Sequence, residues 1–345
     1  MAIWTTLAYN REQVNIAGKI LLNDEWDWEE YEDTLTKINN WRTSHNFPLN
    51  TFQIRLRTKA KSINKESLVA QRIKRLPSIK LKLERYPEMK LTQIQDIGGC
   101  RAIMKDIGEV DKLVNIYQHE SRGVKHELSK EQDYILHPKA SGYRGVHLVY
   151  KYRSDKNNAY DGLKIEIQIR TLLQHAWATA VETVGTFIKQ SLKSSQGEEK
   201  WLRFFSIMSS AMAMQENKPI IEGTSSNFSE LKAEIIELSN NLNIEGHLRT
   251  FSDSIKIIDE KQITNAHYYL LELDATTRRV FVTPYSQNQL PKASKDYVEL
   301  EERIGNDKKD AVLVAAESLD ALKLAFPNYY LDTALFLEKL KQITA

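Results

Sequence analysis

Two carboxylates and a run of cations carry the chemistry available to this sequence. In the stretch QDIGGCRAIM, Asp96 stands at the start of an apolar strand, two glycines allow close backbone approach, and Arg101 follows. A carboxylate at a strand end beside an arginine suits a magnesium-bound triphosphate, with the acid on the metal and the guanidinium on phosphate or stacked on a base. Alone it is equally well an ordinary turn. In KIEIQIRT, strict alternation puts Ile165, Ile167 and Ile169 on one strand face and Glu166, Gln168 and Arg170 on the other. That polar face is either plain solvent-exposed surface or a working face. Paired with Asp96 it offers a second ligand for Mg²⁺ and a base for an attacking hydroxyl.

The cations lie between residues 51 and 90, which hold twelve Lys or Arg against three Glu. Such a block can be a solvated helix face. The stretch RIKRLPSIKLKLER argues for more, because Arg72 and Lys74 precede a helix whose first turn carries Ser78, and Lys82 and Arg85 fall on one side of that helix. A helix N-terminus, a serine and converging cations make a polyphosphate cradle. Further on, ASGYRGVHLVY sets Tyr143 between Gly142 and Gly145 ahead of an apolar strand, as a ring offered for stacking on a nucleobase.

The elements that must position these residues read as an α/β (α+β) pattern. Helical spacing in NREQVNIAGKILL and WEEYEDTLTKINNWRTSH ends at a break around NFPLN. A short extended piece at LVAQRIK, a helix at SIKLKLERY, a strand at GCRAIMK, a helix at VDKLVNIYQHE, strands at VHLVYKY and LKIEIQIR, and a helix from LLQHAWATAVETVGTF follow. Residues 197 to about 250 read as helical. Beyond them a hairpin, a helix, the strand AVLVAAE and two closing helices suffice for a small second module. The expected domains are residues 1–255 and 256–345.

Length and composition agree with this division. At 345 residues the chain is long enough for one large or two modest domains. The apolar fraction of 41% and charged fraction of 27% suit a soluble protein. No apolar run has the ~18 residues of a membrane span and no signal peptide is evident, so a cytoplasmic protein is expected. Cys100 is the only cysteine, which excludes an internal disulfide and a cysteine-rich zinc site.

In order and spacing the motifs resemble the synthetase domain of the RelA/SpoT family. They are R-x-K-x3-S-I-x2-K-L-x-R from Arg72, D-I-x-G-x-R from Asp96, H-P-K-x2-G-Y-R from His137, and E-I-Q-I-R-T-L-L-Q-H-A-W-A from Glu166. The resemblance covers roughly residues 60 to 215. It implies a nucleotidyltransferase-like mixed sheet flanked by helices and transfer of pyrophosphate from ATP to a ribose 3′-hydroxyl. By position, Arg72 and Arg101 would sandwich adenine, Lys74, Ser78, Lys82 and Arg85 would hold its phosphates, and Asp96 and Glu166 would serve Mg²⁺, with Glu166 also the base. Tyr143 would stack on the acceptor, with Lys139, Arg144, His147 and Gln168 around it.

AWATAVETVG departs from the alarmone-making members, because Val181 and Glu182 stand where they carry Glu and His. In this the chain looks like the toxic members, which pyrophosphorylate the 3′ end of tRNA. The C-terminal LKLAFPNYYLDTALFLEKL resembles the antitoxin module of the fused CapRel proteins, a zinc-finger-like module lacking zinc ligands. Phe326 and Tyr329 match its aromatic pair that covers the adenine pocket, unless they only close the core of the module. The expectation is an autoinhibited toxin released by a phage structural protein such as the major capsid protein. The alternatives are a small alarmone synthetase using GDP or GTP and a non-catalytic RNA-binding protein.

Overall fold

The computed structural model describes residues 4–23, 27–119, 126–154, 158–188, 192, 198–253, 256–259, 266–274, 276–277, 279–304, 309–316, 318–325 and 333–345. In chain order the elements are α1 (Arg11–Ile20), α2 (Trp28–Ser44), α3 (Asn46–Ile63), β1 (Leu68–Ile73), α4 (Leu76–Arg85), β2 (Gly98–Met104) and α5 (Ile107–His119). Then come β3 (Glu127–Asp133), β4 (Val146–Lys151), β5 (Lys164–Thr171), α6 (Leu172–Ile188), α7 (Glu199–Gln215), α8 (Phe228–Asn241) and α9 (Ile244–Asp253). The C-terminal stretch holds β6 (Lys256–Asp259), β7 (Tyr268–Asp274), β8 (Arg279–Tyr285), α10 (Leu290–Ile304), β9 (Lys309–Ala315), α11 (Leu319–Ala325) and α12 (Ala334–Thr344).

The described strands form one mixed sheet in the order β3-β4-β5-β2-β1-β9-β7-β8-β6. The β2–β5 pair is parallel and its neighbours β1–β2 and β4–β5 are antiparallel. The alternation read in β5 holds. Ile165, Ile167 and Ile169 are fully buried and share a core with Leu49, Phe52 and Leu56 of α3 and Val110 and Leu113 of α5. A second core gathers α6 to α9 with Phe336 of α12, whose ring meets Phe205 at 5.9 Å. The sheet runs through the division expected at 255/256, for β9 pairs with β1 through Gln71–Ala315 and Arg72–Val314. On one face of β7 to β9, Leu322 of α11 packs with Ala70 of β1. On the other lie Leu290, Tyr297 and Leu300 of α10.

Three segments differ from the sequence expectation, one being β6, a strand ahead of the expected hairpin. The break expected at NFPLN is instead the start of α3, the chain turning at His45. Pro48 sits in the helix's first turn, where a missing N–H costs no bond. The strand β3, ELSKEQD, has no apolar alternation and was not foreseen. It is held by backbone pairing to β4 and its exposed charges suit a sheet edge. Among the described residues no helix is long and apolar enough to cross a membrane.

Candidate active site

One face of β1, β2, β5 and β4 carries the chemistry. Strand register sets Arg72 opposite Gly99 and Gly99 opposite Glu166, and in the next row Ala70, Arg101, Gln168 and His147 lie side by side. A cleft is lined by Ala70, Arg72, Asp96, Gly99, Arg101, Glu166 and Gln168. The two glycines of QDIGGCR have separate jobs. A Cβ on Gly98 would strike Ile165 Cδ1 at 2.8 Å in the core, whereas one on Gly99 would project into open space. Between Arg72 and Glu166, Gly99 therefore keeps the floor of the cleft clear.

At one end, Asp96 receives Lys74 Nζ at 2.7 Å and Lys82 Nζ at 2.8 Å, one lysine just past β1 and one from α4. Burial works against its charge, but the two ammonium groups outweigh burial and hold its carboxyl well below the usual carboxylate range. Burial pushes Lys74 the other way, below the usual lysine value, with Asp96 opposing. Ser78 is the third residue of α4, after Leu76 and Pro77, and Arg85 is exposed on its last turn.

At the other end, Glu166 Oε1 lies 2.9 Å from His147 Nδ1 and its Oε2 accepts from Gln168 Nε2 at 2.6 Å. His147 Nε2 lies 2.7 Å from the Tyr143 hydroxyl. The pattern is self-consistent with Tyr143 donating to Nε2 and the Nδ1–H donating to Glu166. Burial raises the Glu166 carboxyl, and His147 and Gln168 more than reverse it, while Asp96 is near enough to push it upward. Both acids are thus ionised and sense each other.

Behind these, Arg101 and Arg170 are buried side by side. Burial presses Arg101 toward deprotonation, Arg170 and Arg72 add to this, and Glu182 offsets it. Glu182 also acts on Arg170 and on Tyr143, so the acid singled out in AWATAVETVG faces this cluster.

The acceptor group expected from the sequence is brought together only in part. Tyr143 is not a displayed ring. It is 4% exposed and belongs to the helical core with Trp177, and burial pushes its phenol up to about 12. The reason lies in Gly142, at φ +96, where a Cβ would strike Trp177 at 2.7 Å, so the loop presses inward. Arg144 turns away from the cleft, donating to Ser209 Oγ at 3.0 Å and to the Ile135 carbonyl at 3.2 Å, in a separate small cavity with Gln174 and Glu216. Lys139 stays on the cleft side, its Nζ 4.3 Å from the ring centroid of Tyr134 and within the field of Glu166. Tyr134, half-buried and edge-on to both Tyr143 and His147, was missed because nothing in its spacing marks it. Arg170 shares the polar face of β5 with Glu166 and Gln168, and that alternation could have pointed to it. Phe326 and Tyr329 lie outside the described residues.

Asp96 and Glu166 suit Mg²⁺. They are ionised hard oxygen donors in one cleft, and Mg²⁺ commonly takes one or two carboxylates and completes its shell with water and phosphate oxygens. Among the described residues no cluster of three or more His, Cys, Asp or Glu offers a metal cage, so phosphate oxygens would have to contribute.

Residues 71–187 match the family model described as the region found in RelA/SpoT proteins. That segment contains the cleft side chains Arg72, Asp96, Arg101, Glu166 and Gln168. It is 37% identical over 115 residues to the GTP pyrophosphokinase YwaC of Bacillus subtilis, covering 31% of this chain and 52% of that protein. It is 31% identical over 113 residues to GTP pyrophosphokinase YjbM of the same organism, covering 32% and 52%. Among solved structures, a GTP pyrophosphokinase family protein from Streptococcus pneumoniae aligns with a TM-score of 0.42 at 27% identity, over 56% of this chain and 91% of that one. The chain spans about half the length of the curated relatives it matches.

Proposed function

We propose that this chain is an ATP pyrophosphokinase. The observation that carries the reading is a single cleft in which two ionised carboxylates, Asp96 and Glu166, face the cations Arg72, Lys74, Lys82 and Arg101. In the reaction an acceptor ribose hydroxyl attacks the β-phosphorus of ATP, the bond to the α-phosphate breaks, AMP leaves, and Glu166 takes the hydroxyl proton. Arg72 and Arg101 hold adenine, and Lys74, Ser78, Lys82 and Arg85 hold the phosphates. Asp96 and Glu166 would hold Mg²⁺, which would supply neutralisation of phosphate charge. Lys74 and Lys82, now paired with Asp96, become phosphate ligands when that charge arrives.

For the acceptor we favour the 3′ end of tRNA, which would make the chain a translation-blocking toxin. Glu182 supports this, since a negative charge beside Arg101, Arg170 and Tyr143 opposes the free phosphates of a guanine nucleotide. The second reading, an alarmone synthetase using GDP or GTP, is favoured by the names of the curated relatives. Incubation of the chain and its trigger with γ-labelled ATP and either tRNA or GDP separates them. Label on guanine nucleotide alone sinks the tRNA reading, label on neither sinks both.

Residues 256–345 fit a tethered antitoxin and sensor, zinc-finger-like but without zinc ligands, that is released by a phage structural protein such as the major capsid protein. In support, Leu322 of α11 packs against Ala70, a residue of the cleft wall, and Phe326 and Tyr329 follow α11 directly in sequence. A tether gives an effective concentration on the order of millimolar, enough for weak stacking to compete with ATP. Tyr329→Ala is expected to make the chain toxic without a trigger, and an inert variant would count against the tether.

A further inference from the structure

A buried ion pair joins the C-terminal stretch to the turn that carries the cleft's lysines. Arg42 of α2 and Glu301 of α10 meet at 2.6 Å with side chains only 2% and 6% exposed. Tyr297, one turn before Glu301, donates to Glu301 Oε1 at 2.8 Å, receives Arg42 Nη2 at 3.2 Å, and lies with its ring 5.3 Å from the guanidinium carbon. Burial lowers the Arg42 pKa and Glu301 and Tyr297 more than restore it, so Arg42 remains charged.

What separates this cluster from an ordinary buried pair is how its remaining groups are used. Arg42 Nε donates to the main-chain carbonyl of Lys74 at 3.0 Å, and the Leu76 N–H donates to Glu301 Oε1 at 3.0 Å. Leu76 opens α4, whose own N-cap residue, Arg75, makes no side-chain capping bond. A carboxylate from α10 thus satisfies the first free amide of the helix that carries Ser78 and Lys82. Arg75 itself pairs with Asp310 of β9. The Lys74 N–H is held in turn by the Ile97 carbonyl at 2.8 Å, next to Asp96. Arg75 and Leu76 are therefore gripped by the C-terminal stretch and the Lys74 carbonyl by Arg42, which Tyr297 and Glu301 hold, while the Lys74 side chain bonds Asp96.

We infer that Arg42, Tyr297 and Glu301 are positioning residues for the triphosphate: by fixing the 74–76 main chain they aim Lys74 and the first turn of α4, so phosphate binding depends on the seating of α10. The inference rests on the ATP reading above. A charge held this way also has a cost if broken, since removing one partner leaves the other buried and unpaired.

The full-length chain with Glu301→Gln tests it, beside Tyr297→Phe, which removes only one hydroxyl and keeps the fold. Equilibrium binding of a non-hydrolysable ATP analogue with Mg²⁺ and of AMP is compared with amide hydrogen exchange over residues 74–85. The expected result is ATP-analogue binding roughly tenfold weaker, the size of one lost charge-assisted hydrogen bond, with AMP affinity unchanged and exchange in that segment faster. Equal losses for both nucleotides, or faster exchange with ATP affinity intact, would overturn the inference and leave a purely structural staple. A chain that binds neither nucleotide even when opened by Tyr329→Ala sinks the pyrophosphokinase reading first, and the inference with it. Wild-type binding with unaffected variants sinks the inference alone.

Discussion

The Nδ1 atom of His147 stands 2.9 Å from Glu166 Oε1. The imidazole is anchored at its other nitrogen by the Tyr143 hydroxyl, 2.7 Å from Nε2, so the ring is held with Nδ1 toward the carboxylate. Gln168 fixes the second oxygen. A carboxylate oriented by two donors and kept ionised by them is ready to accept a proton, and His147 is what keeps it so in a buried setting.

Replacing His147 with Gln removes the strongest force lowering the Glu166 pKa after burial has raised it. On the proposed reading Glu166 is the base and must be ionised to act, so activity is lost below its pKa. The acid limb of kcat/KM is therefore expected to move upward in His147→Gln, and kcat at neutral pH to fall. Glu166→Gln should cost about 10²- to 10⁴-fold, the usual contribution of a general base. Steady-state rates across pH check both, and an acid limb that stays in place in His147→Gln would show that Glu166 is not the titrating group.

Tyr143 separates two roles through two substitutions. Tyr143→Phe keeps the packed ring and loses the bond to His147, so unfolding is expected to change by no more than about 1.5 kcal/mol while the rate falls. Tyr143→Ala empties a site beside Trp177 and should cost about 3–5 kcal/mol of stability. Thermal unfolding beside kinetics distinguishes them. Full activity in Tyr143→Phe would remove the hydroxyl from the mechanism.

Asp96 predicts an acid response of the fold itself. Its folded-state pKa is depressed, since Lys74 and Lys82 outweigh burial. The stabilisation is therefore present above the ordinary aspartate value of about 3.9 and disappears as pH falls toward the lower folded value. Asp96→Asn should destabilise the chain at pH 7 by about 1–3 kcal/mol, because two close lysines lose their counter-charge. It should also flatten the acid decline seen in wild type. Urea unfolding from neutral to acid pH measures both effects.

How much of this was legible in the sequence follows from how local each signal is. The face of β5 could be read because a period of two sorts Ile165, Ile167 and Ile169 from Glu166 and Gln168 without knowing any neighbour. The same holds for the placement of Lys82 on α4. What α3 and β3 share is a misleading local signal, a proline that the first helical turn tolerates and a polar edge strand that pairs only through its backbone. Arg144 was grouped with the acceptor residues by its motif, yet it stands three positions from His147, an odd separation that a period of two sends to the opposite face. The displayed ring expected at Tyr143 needed knowledge of Trp177 and Ser209, which come from other helices. The Arg42–Glu301 pair joins opposite ends of the chain, and no spacing rule reaches that far.

Glu182 gives the sharpest test of the acceptor. It is the acid that offsets the mutual repulsion of Arg101 and Arg170, and it also acts on Tyr143, which bonds His147. Glu182→Gln keeps the shape, removes the charge, and should lower stability by about 1–3 kcal/mol because two buried arginines then face each other uncompensated. Glu182→His goes further by placing a potential cation where guanine-nucleotide phosphates would be repelled in wild type. Its neighbour Val181 is fully buried, so a Glu there would bury an unpaired charge, and the histidine is best introduced alone. If Glu182 selects the acceptor, Glu182→His should raise label transfer to GDP relative to tRNA by at least about tenfold, the worth of one charge contact. Competition between the two acceptors in one tube reads that ratio directly. A ratio unchanged by the substitution, in a variant that still unfolds cooperatively, would mean that Glu182 only balances the arginines and that selection lies elsewhere on the cleft rim.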